Sequence, residues 1–223
     1  FGHNEKISNK MLIIGGGNIG FNLAKNIEQS FESARVKIIE KDKSRAEFIA
    51  NELHDKICKE LSEYNYKGIL VYSGFNEPLL KKDIYRDIKM ARKYLPEAQI
   101  EMITNGDALN NERMKKLFDS GLSYLLVSAY DSEEQAIRFR AMLDKTNVDS
   151  SKYIVRNRYY GEEKDFGITI SNRGGNMNNT EYKIEALKEP LKNKCTYPAY
   201  TFFIDYNGDV LTCSHDWGKD MVM

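Results

Sequence analysis

Apolar and polar positions along this chain repeat with two different periods, and the switches between them mark out its elements. Residues 11–14 (MLII) are a short apolar run that ends in glycines, which predicts a buried strand followed by a helix over 18–31. The stretch 36–40 (VKIIE) predicts a second strand, and 43–63, rich in Ala, Glu, Leu and Lys, a long helix. Beyond it, strands over 68–74 (GILVYSG), 99–104 (QIEMIT), 124–130 (YLLVSAY) and 151–160 (SKYIVRNRYY) alternate with helices over 81–95, 110–121 and 132–146. This alternation predicts βαβ units and a parallel sheet of about six or seven strands, open or a partial barrel. After 160 the pattern changes. Residues 171–182 are polar and glycine-rich and predict a loop, and 199–214 alternate around Asn207-Gly208, a hairpin signal. The fold class is α/β: a mostly parallel sheet of alternating βα units with a C-terminal β-hairpin.

Composition narrows the function classes. Apolar residues make up 41% and charged residues 30% of the 223, enough for a packed core. Lys plus Arg and Asp plus Glu balance at 33 each, so no whole-chain field draws in nucleic acid or an anionic membrane. No apolar run approaches the roughly 20 residues of a membrane span, and the opening lacks a secretory signal pattern. A chain opening on Phe1 is expected to lack its natural start. Cys58, Cys195 and Cys213 are an odd, sparse set, which points to a reducing cytoplasm rather than a disulfide-stapled domain.

Gly15, Gly17 and Gly20 fit G-x-G-x-x-G directly after a strand and at the start of a helix. The first glycine permits the tight turn, the second lets a pyrophosphate approach the backbone, and the third lets helix and strand pack closely. The helix N-terminus offers free N–H groups to phosphate. Glu40 ends the second strand, where an acid would accept hydrogen bonds from a ribose. A purely structural βαβ turn is the alternative.

The stretch "NKMLIIGGGNIGFNLAKNIEQSF…VKIIEKDKSRAEFIANEL" resembles the nucleotide-binding (RCK) domain of Trk-type potassium uptake regulators, over roughly residues 5–55. The resemblance implies that Gly15, Gly17, Asn18, Ile19, Gly20 and Glu40 bind NAD(H) or another adenine nucleotide, and that a membrane potassium transporter is the partner. The further βα units such a domain needs are not visible after His54.

From about Ile57 the text resembles a different family, the radical S-adenosylmethionine enzymes. Ser73-Gly74-Phe75-Asn76-Glu77-Pro78-Leu79 looks like their "GGEPL" segment, and Thr104-Asn105-Gly106 like their "TNG". The next strand ends in Ser128-Ala129-Tyr130-Asp131, and Arg156 and Arg158 lie on a later one. The resemblance implies that Gly74, Glu77, Asn105, Ser128 and Arg156 hold S-adenosylmethionine. Chemistry agrees: a fixed carboxylate suits an ammonium, an arginine suits a carboxylate, and barrel enzymes build sites at strand C-terminal ends. Ordinary turn chemistry is the alternative for both motifs. Cys195 and Cys213, with Gly208 between them, resemble the start of a SPASM extension and imply an incomplete iron–sulfur site.

The C-x-x-x-C-x-x-C loop that would hold the [4Fe–4S] cluster of that family does not occur in this sequence, and Cys58 reads as a buried thiol in a helix. His54, His215 and the carboxylates show no metal spacing. The chain therefore reads as a hybrid: a Rossmann-like, RCK-like segment over 1–56, a radical-S-adenosylmethionine-like partial barrel over 57–190, and a truncated SPASM-like hairpin over 191–223. Three functions are expected in turn: a radical S-adenosylmethionine/SPASM-type fragment not competent without its cluster loop, a nucleotide-binding regulator of potassium uptake, or a non-catalytic hybrid that binds neither cofactor tightly. A small-molecule nucleotide is the expected ligand, and nucleic acid is not expected. If one parallel sheet runs through both parts, Gly15, Glu77, Asn105 and Ser128 share one edge.

Overall fold

In a computed structural model the described residues are 10–14, 18–30, 35–39, 43–74, 77–158, 175–178, 185–189, 192, 194–205 and 209–216. They divide between two units, Phe1–Lys56 and Ile57–Met223. In the first, β1 (Lys10–Ile14) leads into helix α1 (Asn18–Ser30), and β2 (Arg35–Ile39) returns parallel to β1, in register from Lys10↔Arg35 to Ile14↔Ile39. The helix starts at Asn18, as the sequence predicts. Helix α2 (Lys43–Glu63) follows and continues into the second unit, where Cys58 is buried in the core.

The second unit is built on β3 (Ile69–Tyr72), β4 (Gln99–Thr104), β5 (Tyr124–Ala129) and β6 (Tyr153–Asn157). They form a four-stranded, wholly parallel sheet in sequence order. Helices α3 (Ile84–Tyr94), α4 (Asn111–Asp119) and α5 (Glu133–Leu143) make the crossovers. One sheet face carries Ile100 and Met102 of β4 and Leu125, Val127 and Ala129 of β5, all fully buried. Against it pack Ile88 and Ala91 of α3, Met114 and Leu117 of α4, and Ala136, Phe139 and Leu143 of α5. Period-2 residues on the strands meet period-3.6 residues on the helices, which is the pattern the sequence carries. The other face bears Ile69, Val71 and Ile154, which stay exposed, beside buried Leu126 and Ser128 of the central strand.

Most element ends fall within one residue of the predicted ones, and several larger departures have local causes. Strand β3 stops at Tyr72 rather than 74, because Gly74 turns into the left-handed region at φ +121°. The predicted helix 81–95 begins only at Ile84, after a separate 3₁₀ turn at Pro78–Leu80, since Pro78 suits a first-turn position. Helix α4 closes on Gly121 (φ +107°), with Gly121 N–H donating to Phe118 O and Leu122 N–H to Leu117 O. That is the pattern of a Schellman cap. Strand β6 is preceded by a 3₁₀ turn at Ser150–Lys152 that the reading of 151–160 as one strand did not contain.

Among the described residues the strands do not form one sheet of six or seven. Among the described residues β1 and β2 pair only with each other, and the four-stranded sheet begins at β3. The hairpin is present as β7 (Phe203–Ile204) and β8 (Val210–Leu211), antiparallel, while its Asn207-Gly208 tip lies outside the described residues. The same holds for most of the loop 171–182, of which 175–178 are described. No helix among the described residues is long and apolar enough to cross a membrane.

Candidate functional site

The residues at the C-terminal ends of β3 to β6 necessarily share one edge, because the strands are parallel. Glu77 organises that edge. It is the N-cap of the Pro78–Leu80 turn, and its Oε1 accepts from Leu79 N–H at 3.0 Å. The same oxygen accepts from the Thr104 hydroxyl at 2.6 Å, and Oε2 accepts from Asn105 N–H at 2.8 Å. One carboxylate thus joins the loop after β3 to the loop after β4. A carboxylate oxygen offers about two acceptor positions, so Oε1 is full and Oε2 keeps one.

The second loop is wound from short hydrogen bonds. Gly106 N–H donates to Thr104 Oγ1 at 3.0 Å, and Asp107 N–H donates to Asn105 Oδ1 at 3.0 Å. Gly106 sits at φ +79°, and a Cβ there would lie 2.7 Å from both Phe139 Cζ and Val127 Cγ1. Gly74, at φ +121°, also meets a neighbour: a Cβ would lie 2.7 Å from Phe203 Cζ at the tip of a half-buried ring of the hairpin. Both motif glycines are therefore required by backbone conformation, and Gly106 by buried contacts as well.

Further along the edge, Ser128 of β5 lies in register beside Arg156 of β6. One step back on the same face, Ile103, Leu126 and Ile154 are in register across β4, β5 and β6. Ser128 is buried, whereas Arg156 is exposed and makes no hydrogen bond or ion pair among the described residues. The edge thus carries a half-buried carboxylate in the loop after β3, bonded to the end of β4, and a cation at β6. Two strand spacings, about 10 Å, separate β4 from β6, so a ligand meeting both groups must be elongated.

Three residues of this edge have roles that the sequence does not assign. Thr104, the first residue of the Thr104-Asn105-Gly106 segment, supplies the hydroxyl on Glu77. Gln135 accepts through Oε1 from Tyr130 N–H (2.8 Å) and Asp131 N–H (3.0 Å), which ties down the loop after β5. Its signal is Ser132-x-x-Gln135, a capping-box spacing, and Ser132 Oγ indeed caps Gln135 N–H. Arg113 donates to Tyr85 Oη, Ala108 O and Leu79 O. Nothing in the sequence marks it.

Gly15, Gly17 and Glu40 lie outside the described residues, and Asn18, Ile19 and Gly20 form the first turn of α1. Cys195 is exposed and Cys213 half-buried, both as free thiols, with Cys213 Sγ accepting from His215 N–H at 3.3 Å. Among the described residues no group of three or more His, Cys, Asp or Glu side chains could hold a metal ion. A [4Fe–4S] cluster needs several thiolates at one place. The chain's three cysteines, one of them sealed in the core, do not fit that requirement.

No family model matches the chain. It is 27% identical over 172 residues to the S-adenosyl-L-methionine-dependent 2-deoxy-scyllo-inosamine dehydrogenase of Niallia circulans, covering 77% of this chain. The chain spans 63% of that relative's length. The crystal structure of BtrN in complex with AdoMet and 2-DOIA superposes with a TM-score of 0.59 at 22% identity, over 96% of this chain and 76% of that one. The Trk system potassium uptake protein TrkA of Azorhizobium caulinodans is 42% identical over 53 residues, 24% of this chain and 12% of that protein.

These likenesses correct two expectations. The chain is not a hybrid of an RCK domain and a radical S-adenosylmethionine/SPASM enzyme, since one fold, that of BtrN, extends over 96% of it and the TrkA likeness is short and partial. The functions built on that picture fall with it: the incompetent fragment, the regulator of potassium uptake, and the hybrid holding neither cofactor. Over most of the chain the likeness is to a dehydrogenase instead. The physical reason is that a strand, a glycine turn and a helix open many unrelated α/β folds, so a short motif of this kind does not carry function by itself.

Proposed function

We propose that this chain belongs to an S-adenosylmethionine-dependent dehydrogenase acting on a cyclitol-like alcohol, and that the ligand lies along the C-terminal edge of β3–β6. The observation that carries this is the Glu77 carboxylate, which is pinned by Thr104 and Asn105 yet keeps one acceptor position on Oε2. The ammonium of the ligand's amino-acid end is the donor we assign to it, with the backbone around Gly74 beside it. The ligand then runs past Asn105 and Ser128 toward Arg156, whose uncommitted guanidinium faces a polar group of the second substrate. The resemblance of "GFNEPLL" and "TNG" to radical S-adenosylmethionine enzymes, and the likeness to an enzyme dependent on the same molecule, support the reading.

Titration calorimetry on the whole chain tests it. S-adenosylmethionine is expected to bind, and Glu77→Gln, which turns an amide N–H₂ toward a backbone donor, to weaken it by about tenfold. With S-adenosylmethionine present, 2-deoxy-scyllo-inosamine is expected to give a second heat that Arg156→Ala removes. Absence of S-adenosylmethionine binding at millimolar concentration, or binding indifferent to Glu77→Gln, overturns the proposal.

A further inference from the structure

We infer that Arg113 is a positioning residue for this edge: it sets the spacing between the loop after β3 and the loop after β4, and ligand affinity depends on that spacing. The inference rests on the function proposed above. Arg113 is in the first turn of α4, where its own N–H is held at 2.8 Å by the N-cap Asn110 Oδ1. Its half-buried guanidinium then donates in three directions, through Nη2 to Leu79 O at 2.8 Å, Nη1 to Ala108 O at 2.7 Å and Nε to Tyr85 Oη at 3.1 Å. Leu79 belongs to the turn that Glu77 caps, and Ala108 follows directly on the Thr104–Asp107 turns. The two loops are thus clamped twice, by a carboxylate taking donors from both and by a guanidinium donating to both.

The two clamps use opposite groups of the same backbone. Glu77 takes the free N–H groups of Leu79 and Asn105, and Arg113 takes the free carbonyls of Leu79 and Ala108. Leu79 is buried, so its carbonyl has no ready substitute in solvent once Arg113 is removed. A lysine cannot replace the fork, since one ammonium cannot lie in line with acceptors on three separate elements. Arg113 does not itself face the ligand. It acts through Leu79 and Ala108 on Glu77, Asn105 and Gly106.

The experiment is amide hydrogen exchange on the full chain, together with S-adenosylmethionine calorimetry, for the native protein and Arg113→Ala. The Leu79 and Asn105 amides, both bonded to Glu77, are expected to exchange about tenfold faster in the variant, with affinity for S-adenosylmethionine falling by about the same factor. Amides inside β4 and β5, such as Met102 and Leu126, are expected to keep their protection. A few millimolar guanidinium chloride is expected to restore both readouts, and equal sodium chloride neither. Unchanged Leu79 and Asn105 exchange, or loss spread evenly over β4 and β5, overturns the inference. If Arg113→Ala does not fold, Arg113→Lys takes its place: at least one of the Leu79 and Asn105 amides is expected to exchange faster, and unchanged exchange at both overturns the inference. If the native chain fails to bind S-adenosylmethionine the proposed function falls, while the exchange data still decide the role of Arg113.

Discussion

The two ends of the four-stranded sheet are both tied by an arginine, yet they differ in what is left over. At the N-terminal end, Arg92 of α3 donates to Leu95 O, Pro96 O and Ala98 O through Nη1, and to Gly121 O and Ser123 Oγ through Nε and Nη2. These acceptors lie in the turns that lead into β4 and β5. At the C-terminal end, Arg113 ties the loops after β3 and β4, but the Oε2 of Glu77 and the guanidinium of Arg156 remain with capacity to spare. Among the described residues one end closes on itself, and the other keeps an acceptor position and a cation without partners. This is the division of labour expected of parallel βα ladders, in which the ends of strands carry chemistry and their beginnings carry stability.

The largest effect that would sharpen this contrast is on stability alone. Arg92→Ala strips partners from several turn carbonyls at once and is expected to cost about 3 kcal/mol, read from urea unfolding. The folded fraction should bind S-adenosylmethionine as tightly as the native chain does. A matching loss of affinity would break the separation of the two ends.

Gly106→Ala is expected to have a smaller effect, about 1–2 kcal/mol, because a left-handed backbone and the contacts with Val127 and Phe139 both oppose a Cβ. It should also weaken S-adenosylmethionine, since Gly106 belongs to the turn that presents Asn105. Loss of stability without loss of affinity would show that this loop does not shape the site.

The smallest effect is expected at Glu112, on the solvent side of α4. The Lys116 ammonium donates to its carboxylate at 2.7 Å and holds its pKa below the ordinary value. A lowered acid contributes stability above its unfolded-state pKa and loses it as pH falls. Both side chains are exposed, so Glu112→Gln should leave the unfolding midpoint unchanged within error at neutral pH. A clear shift would mean that α4 is held from its surface as well as through Arg113.

What the sequence determined by itself was local. The spans 43–63 and 99–104 are found residue for residue in α2 and β4, because apolar periodicity and composition act within one element. The α/β class and the placing of Glu77, Asn105, Ser128 and Arg156 at strand ends follow from the order of those elements. The hairpin was legible in the alternation of 199–214, and Cys58 as a buried thiol in its helix. The strand partners were decided elsewhere. Whether β2 is followed by β3 in one sheet depends on hydrogen bonds between distant segments, and no local pattern encodes them. The partners of Glu77 were equally hidden, since Thr104 is 27 residues away in the chain, and Arg113 meets Leu79 across 34. A charged side chain in the first turn of a helix reads as solvated surface until packing brings two loops within its reach. Only the tertiary structure settles that, because the free energy of a hydrogen bond depends on where its partner lies and how far water is excluded from the pair.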